Sequence, residues 1–257
     1  MSGARVVAIA VAPVKGLALQ AREAVELTLA GVEGDRRFYL VDETGHLINQ
    51  KRAPALATVV PTVAAGHVAL RFPNGAVVEG EVRLGAPVTT SFYGRPVAGR
   101  LVEGPWGEAL SEHTGSSLRL VRAEREGDGL DRGARAGVTV VSTASLAALA
   151  AAVGRERVDG RRFRMLLTVD GVEAHGEDAW LGRRLRAGGA RVELAGHVGR
   201  CAVTTRDPDT GVRDLETLDA IEGYRRGVAS SEPLPFGVWG RVVEPGRVAV
   251  GDEVGPG

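Results

Sequence analysis

The first hundred residues alternate between short runs rich in β-branched and aromatic residues and clusters of turn residues. Gly, Pro and Asn-Gly signals separate these runs, and Asn74-Gly75 between two of them predicts a β-hairpin. Many short strands at such spacing are typical of a barrel or sandwich and disfavour alternating βαβ units. The predicted strands in this part are residues 6–11, 26–29, 38–41, 68–72 and 88–92.

The hydrophobic period becomes helical around residues 105–110, which indicates a segment that crosses between two β-rich parts. We therefore predict one domain over residues 1–105 and a second over 106–257. Ser142 and Thr143 can cap a helix that ends near Gly154.

A second, shorter helix is predicted after an Asp214 cap, because Leu215, Leu218 and Ile221 share one helical face. The polar, glycine-rich stretch 124–135 predicts a mobile loop. Together these patterns predict a mainly β fold with a few helices, an α+β protein of two β-barrel parts. Further strands in the second part are predicted at residues 163–169, 192–195, 238–243 and 248–250.

Composition narrows the class of protein. The 257 residues include 44% hydrophobic and 25% charged residues, and 32 basic residues balance 32 acidic ones, so no bulk charge favours nucleic acid. No apolar run approaches the roughly 20 residues of a membrane span. A single cysteine excludes an internal disulfide and fits a reducing compartment. We expect a cytoplasmic protein without nucleic acid or membrane partners; the sequence gives no oligomeric state.

The single cysteine, Cys201, lies in a short apolar run that leads into a turn, in which Pro208 presets φ and Gly211 permits positive φ. Cys201 is therefore expected at a rigid strand end beside Arg200. A neighbouring positive charge favours the thiolate, the form that binds metals. A lone cysteine is more often a small buried hydrophobe, so this segment alone leaves both interpretations open.

The segment 199–211 resembles the cysteine loop of MOSC-domain proteins, named after the molybdenum cofactor sulfurase C-terminal domain. This family includes the amidoxime-reducing type of molybdoenzyme. Other blocks of the chain are similar to family motifs and follow the family's order. They are residues 12–16 (Ala-Pro-Val-Lys-Gly), 34–41, 44–46, 50–52, 162–164, 177–180, 235–239, 244–246 and 250–252.

The resemblance implies an N-terminal MOSC barrel followed by a MOSC domain that binds the molybdenum cofactor. In the amidoxime-reducing type the cysteine that matches Cys201 ligates molybdenum, so Cys201 is the expected metal ligand and catalytic residue. Lys15 and Arg37 match positions that hold the phosphate end of the cofactor, and arginine suits bidentate phosphate contact. The remaining expected cofactor contacts are Gly16, Arg164, Gly199, Arg200 and Trp239.

Three positions depart from the family pattern. Gly16 and Gly199 stand where the better-known reductases carry serine, and Leu166 stands where they carry asparagine. Each departure removes a hydrogen-bonding side chain.

The resemblance further implies reduction of an N-hydroxylated or other N-oxygenated small molecule. His197 and Asp207 flank Cys201 and are candidate proton relays. The chain has no cysteine-rich iron–sulfur motif and no flavin glycine fingerprint, so a separate ferredoxin- or flavoprotein-type protein is the expected electron donor.

Two other function classes stay open. One is a carrier of the molybdenum cofactor, or of sulfur as a Cys201 persulfide; pyridoxal phosphate is not expected, because no desulfurase domain is present. The other is a cofactor-free β protein kept for interactions, in which Cys201 belongs to the core.

Overall fold

The computed structural model describes residues 3–256. Among these residues are three α-helices and nineteen strands, which confirms the predicted mainly β, α+β fold. The helices are α1 (Trp106–Thr114), α2 (Thr143–Ala152) and α3 (Thr217–Arg225). The strands are β1 (Ala4–Val11), β2 (Gln20–Arg22), β3 (Ala24–Thr28), β4 (Gly31–Val32), β5 (Phe38–Val41), β6 (Leu47–Ile48), β7 (Val60–Ala64), β8 (His67–Arg71), β9 (Val77–Glu81), β10 (Arg83–Phe92), β11 (Arg95–Glu103), β12 (Arg119–Ala123), β13 (Val138–Ser142), β14 (Leu167–Asp170), β15 (Arg184–Ala187), β16 (Ala190–Gly199), β17 (Pro235–Glu244), β18 (Gly246–Ala249) and β19 (Glu253–Pro256).

Seven strands close a barrel in the order β14, β13, β17, β16, β15, β19 and β1, and β1 pairs back onto β14. Closure removes the free edges of these seven strands, and the short β2 pairs onto β1 outside the closed ring. Alternate side chains of the strands fill the barrel, and Val6 and Ile9 of β1 are 1% exposed. The first strand of the chain is therefore built into the barrel of its second half.

The other part contains a five-stranded sheet, β10-β11-β12-β5-β6, and the three-stranded meander β7-β8-β9. Helix α1 covers this part with Trp106, which is fully buried and donates its indole N–H to the Val68 carbonyl at 3.1 Å. Strand β12, beyond residue 105, pairs with both β11 and β5. The boundary near residue 105 stays a prediction.

Most of the predicted elements are confirmed. The Asn74-Gly75 turn joins β8 to β9, with the Gly75 N–H donating to the Phe72 carbonyl at 3.0 Å. Helix α2 begins after Ser142, whose hydroxyl accepts from the Ser145 N–H at 3.0 Å. None of the helices of residues 3–256 is long and apolar enough to span a bilayer.

Two predicted boundaries are wrong. Residues 160–163 form a 3₁₀ turn instead of the start of a strand, and β14 begins only at Leu167. Asp214 does not cap α3, which begins at Thr217. The reason is that the Asp214 carboxylate accepts both Nη groups of the buried Arg162, at 2.7 and 2.6 Å, and a bidentate ion pair outweighs a helix cap.

The two parts meet where the chain leaves β1. Residues 12–15 run beside the start of β5. The Lys15 N–H donates a hydrogen bond to the Phe38 carbonyl at 2.7 Å, and the Phe38 N–H donates to the Pro13 carbonyl at 3.1 Å. The Arg36 N–H donates to the Ala12 carbonyl at 2.7 Å. This contact fixes Lys15 and Arg36 beside the MOSC-like barrel.

Candidate functional site

A cavity of about 230 Å³ opens between the two parts. Its walls come from the segment after β1, the β10–β11 hairpin, the 124–135 loop, the 3₁₀ turn before β14, the end of β16 and the middle of β17. The predicted site residues that line it are Lys15, Gly16, Arg164, Gly199, Arg200, Cys201 and Trp239. The predicted Arg37, His197 and Asp207 are not among its lining residues.

Cys201 lies two residues after the end of β16, immediately before the 3₁₀ turn Ala202–Thr205. The Thr204 N–H and hydroxyl both donate to the Cys201 carbonyl, each at 3.1 Å, so the backbone is fixed. Cys201 is exposed, and it lines the cavity. The interpretation of Cys201 as a buried core residue is therefore wrong.

Arg200 forms the wall beside Cys201. Its guanidinium is buried and donates to the carbonyls of Phe236 at 2.8 Å and Phe163 at 2.9 Å, and it lies 5.0 Å from the centre of the Phe163 ring. Burial lowers the pKa of Arg200, and the neighbouring Cys201 raises it. Arg200 lies beside Cys201 as predicted from the sequence, and it is also held by carbonyls of the wall. That it favours the Cys201 thiolate stays a prediction.

Three cations lie close together elsewhere on the cavity wall: Lys15, Arg36 and Arg164. The Lys15 ammonium is buried and donates to the Gly129 carbonyl at 3.0 Å and to the Asp131 carboxylate. Burial lowers the pKa of Lys15, Asp131 raises it, and the two arginines lower it. Burial is therefore the main influence against the charge of Lys15, and Asp131 offsets part of it.

The side chain of Arg36 is hydrogen-bonded to the backbone carbonyl of Arg164. Arg36 is ion-paired with Asp35 and donates from Nη2 to the Arg164 carbonyl at 3.0 Å. Arg164 Nη2 is buried and has no hydrogen-bond partner among residues 3–256. Burial and the Arg36 charge lower the pKa of Arg164 to about 10, so it stays cationic at neutral pH. A buried charged donor without an acceptor is unfavourable until an anion reaches it.

Backbone strain is concentrated around the same cavity. Arg36, Tyr93 and Arg164 have φ of +52°, +52° and +53°, and all three line the cavity. Positive φ costs a non-glycine residue roughly 1–2 kcal/mol, and such residues cluster at functional sites. The strained positions support a functional role for this cavity.

Aromatic side chains form part of the rim. Tyr93 is 71% exposed at the tip of the β10–β11 hairpin, and its hydroxyl accepts from Asn49 Nδ2 at 3.4 Å. Arg132, ion-paired with Glu232, lies 5.3 Å from the centre of the Trp239 ring. Trp239 is partly exposed, as expected for a residue that lines a site and not only a core.

The loop that was predicted to be mobile is instead tied down over the cavity. Arg95 Nη2 donates to the Asp128 and Leu130 carbonyls at 2.6 and 2.7 Å, and Lys15 holds Gly129 and Asp131. Sequence reasoning missed Asp131, Arg132 and Arg36 as site residues. Local composition gives no signal for them, because their role depends on contacts far apart along the chain.

Gly129→Ala tests whether the 124–135 loop packs against Arg36. A Cβ there would lie 1.7 Å from the Arg36 carbonyl oxygen, so Gly129→Ala should displace the loop and lower the thermal midpoint by several degrees, a cost of roughly 1–3 kcal/mol. The control is Gly223→Ala in α3, where nothing lies within 4 Å and alanine favours the helix. Thermal unfolding followed by circular dichroism compares the two; equal midpoints would show that the loop does not pack against Arg36.

Arg37, predicted to hold a phosphate, points elsewhere. Its Nη2 donates to the Glu124 carbonyl at 3.2 Å and its Nε lies 3.2 Å from a Glu126 carboxylate oxygen. Arg36 lines the cavity in place of Arg37, because the αL backbone of Arg36 reverses the chain between Asp35 and β5. The position of Arg37 does not support the predicted phosphate contact.

The two candidate proton relays also lack the required geometry. His197 is buried with Nε2 3.4 Å from Asp178 Oδ1, away from the cavity wall. Asp207 Oδ1 accepts from the Asp209 and Thr210 N–H groups at 3.0 and 2.9 Å and so stabilises the turn after Cys201. Asp207 therefore has a structural role in its turn, and His197 is buried outside the cavity.

The three departures from the family pattern differ in their surroundings. Gly16 has φ of +92°, where a side chain is strained, and a Cβ at Gly199 would lie 2.9 Å from a Glu232 carboxylate oxygen. Leu166 is 2% exposed and packs in the barrel core, while its N–H donates to Thr139 Oγ1 at 2.8 Å. At Gly199, a serine would require Glu232 to move.

Within residues 3–256, no group of three or more His, Cys, Asp or Glu side chains is placed to hold a metal ion. The donor set of the cavity is one accessible thiol and a cluster of cations that includes an unpartnered guanidinium nitrogen. Thiolates suit soft metals and arginines suit phosphate, so these residues fit a group that carries both.

Comparison with known proteins identifies the family. The MOSC domain matches residues 127–255, and the MOSC N-terminal beta barrel domain matches residues 3–98. The mitochondrial amidoxime reducing component 2 of Bos taurus is 28% identical over 93% of this chain and 78% of its own length, and component 1 of Homo sapiens is 26% identical over the same shares. The solved YUAD protein from Bacillus subtilis aligns over 98% of this chain and 94% of its own, with 13% identity and a TM-score of 0.48. The chain therefore belongs to the MOSC-domain family, with the family's N-terminal β-barrel domain preceding the MOSC domain.

Proposed function

We propose that this protein binds the molybdenum cofactor through Cys201 and reduces N-hydroxylated compounds such as amidoximes. The observation that carries the proposal is the pairing, in one cavity, of the chain's only thiol with the Lys15, Arg36 and Arg164 cluster. Relatives that are similar over nearly the whole chain are amidoxime-reducing components, which supports this reaction class.

Each end of the cofactor has a matching group in this arrangement. Cys201 supplies one thiolate ligand on a backbone fixed by Thr204. Arg164 is the strongest candidate for the phosphate, because its Nη2 has no partner among the described residues and its charge is not matched by a direct ion pair. Lys15 is already engaged by Asp131, so it contributes mainly positive potential and holds the loop in place.

The chain's own residues organise the rest of the site. When bound, the cofactor would supply the two-electron reduction of the N–O bond. Tyr93 and Trp239 offer aromatic surface at the rim against which a planar amidoxime can stack. Because His197 and Asp207 lie outside the cavity, we propose that protons arrive from water at the open rim and not through these side chains.

Electrons are proposed to come from a separate ferredoxin- or flavoprotein-type protein, since the sequence carries no iron–sulfur or flavin motif of its own. A cytoplasmic location likewise stays a proposal.

The test is a reductase assay with benzamidoxime as substrate and reduced methyl viologen as electron donor. Protein from a cofactor-producing host supplied with molybdate should turn over substrate, and protein from the same host supplied with tungstate should not. Equal rates in the two preparations, or no turnover by molybdenum-loaded protein, would contradict the reductase proposal.

The exposure of Cys201 also favours a second candidate, a sulfur carrier. An accessible thiolate can attack the outer sulfur of a donor persulfide, which leaves as a thiol, and can later pass that sulfur to an acceptor thiol in the same way. Intact-mass measurement of freshly isolated protein separates the two candidates. A carrier should gain the mass of one sulfur at Cys201 without molybdenum, whereas the reductase should not.

A further inference from the structure

A second cavity of about 140 Å³ adjoins the one described above. The two cavities share a wall made by Gln50, Arg162, Arg164 and Val203. The opposite wall of the second cavity includes residues 206–209 of the turn that follows Cys201. Nothing in the proposed reaction uses this space.

Two of the arginines that line the second cavity are neutralised by carboxylates. Arg161 donates to both oxygens of Asp209 at 2.7 Å, and it also binds Asp159. Arg162 forms its bidentate pair with Asp214. The carboxylates of this turn are therefore already engaged, Asp209 by an arginine and Asp207 by its own turn.

The other two arginines of this cavity are not neutralised. Arg164 and Arg206 form no ion pair with any residue in the 3–256 range. Arg206 donates from Nη1 to the Gly211 carbonyl at 3.0 Å, while its Nε is buried and without a partner. Arg162, whose side chain is 5% exposed, likewise has an unpartnered Nε.

Three guanidinium groups with unused buried N–H donors thus border one small polar cavity, and two of them form no direct ion pair with any described residue. Buried cationic donors without acceptors are unfavourable, and an oxyanion satisfies them with charge-assisted hydrogen bonds. The Gln50 side chain, 8% exposed and on the shared wall, adds amide donors.

We propose that the second cavity is an oxyanion site that binds a phosphate or carboxylate group between Arg164 and Arg206. Since Arg164 borders both cavities, the oxyanion has two possible sources: a free anion, or an anionic arm of the molecule held in the main cavity. The proposal does not require the molybdenum cofactor to be bound.

The test uses full-length protein from a host that does not make the cofactor, titrated calorimetrically with inorganic phosphate and separately with acetate. Arg206→Gln should abolish one class of phosphate sites or weaken it at least about tenfold, and Arg206→Lys, which keeps the charge, should retain part of the affinity. The matched control is Arg100→Gln, since Arg100 also donates to a carbonyl, that of Gly85 at 2.7 Å, but on an exposed surface. Unfolding curves of all variants check that they are folded.

Repeating the phosphate titration on molybdenum-loaded protein identifies the source. Retention of the Arg206-dependent site supports a free anion, and its loss supports an arm of the bound cofactor. Unchanged phosphate stoichiometry and affinity in folded Arg206→Gln would overturn the proposal. Because the first titration needs no molybdenum, this result is independent of whether the reductase function holds.

Discussion

Cys201→Ala is expected to eliminate amidoxime reduction while leaving the fold unchanged. Cys201 carries the only thiol of the chain, and it is the only residue in the cavity that can offer a metal a thiolate. Mutation of residues that merely orient metal ligands typically costs about 10–100-fold. We therefore expect turnover with viologen as donor to fall more than about 100-fold. The side chain is exposed, so the unfolding free energy should change by no more than about 0.5 kcal/mol.

Val212→Ala is the matched control for this substitution. Val212 follows the cysteine segment directly, is 61% exposed and does not line the cavity, so Val212→Ala should leave both turnover and stability close to wild type. Retained turnover in folded Cys201→Ala would show that the reaction does not depend on the cysteine.

Arg164→Gly is expected to lower the cofactor content without lowering the stability of the cofactor-free protein. The substitution relieves positive φ at residue 164, and it removes a buried guanidinium nitrogen without a partner. The greater unfolded-chain entropy of glycine offsets part of this gain. The net expectation is that cofactor-free protein keeps its stability or gains up to about 1 kcal/mol. The cofactor content should nevertheless fall, because the main phosphate donor is gone. Thermal unfolding of cofactor-free protein and molybdenum analysis of loaded protein measure the two effects.

Ala65→Gly is the control that separates the relief of positive φ from the loss of cofactor binding. Ala65 has φ of +47° in the exposed β7–β8 turn, so glycine there relieves similar strain far from the cavity and should leave the cofactor content unchanged. If Arg164→Gly strongly destabilised the cofactor-free protein, the account of residue 164 as a strained binding residue would be wrong.

The sequence predicted the elements whose signals are local. The Asn74-Gly75 hairpin follows from its turn residues, and α2 follows from its cap at Ser142 and its apolar spacing. The position of Cys201 at a strand end also follows from nearby residues, because the turn with Pro208 and Gly211 is specified within a few positions; Gly211 has φ of +72°.

Features set by distant contacts were not predictable in the same way. Local sequence patterns do not show that β1 closes a barrel with strands from the second half of the chain, because the pairing partner and the register of a strand depend on the whole sheet. The choice of Arg36 over Arg37 depends on an αL backbone at residue 36, and the fixed position of Asp131 depends on Lys15, over a hundred residues away. Asp214 was predicted as a cap because its stronger partner, Arg162, is invisible to local patterns.

The central claim, a molybdenum cofactor held by Cys201, is tested most directly by molybdenum content per chain. Elemental mass spectrometry would be applied to wild-type protein and Cys201→Ala produced in parallel in a cofactor-making host. The account predicts close to stoichiometric molybdenum in the wild type and almost none in the variant. Metal-free wild-type protein with an unmodified thiol, or a variant that keeps its molybdenum, would contradict it.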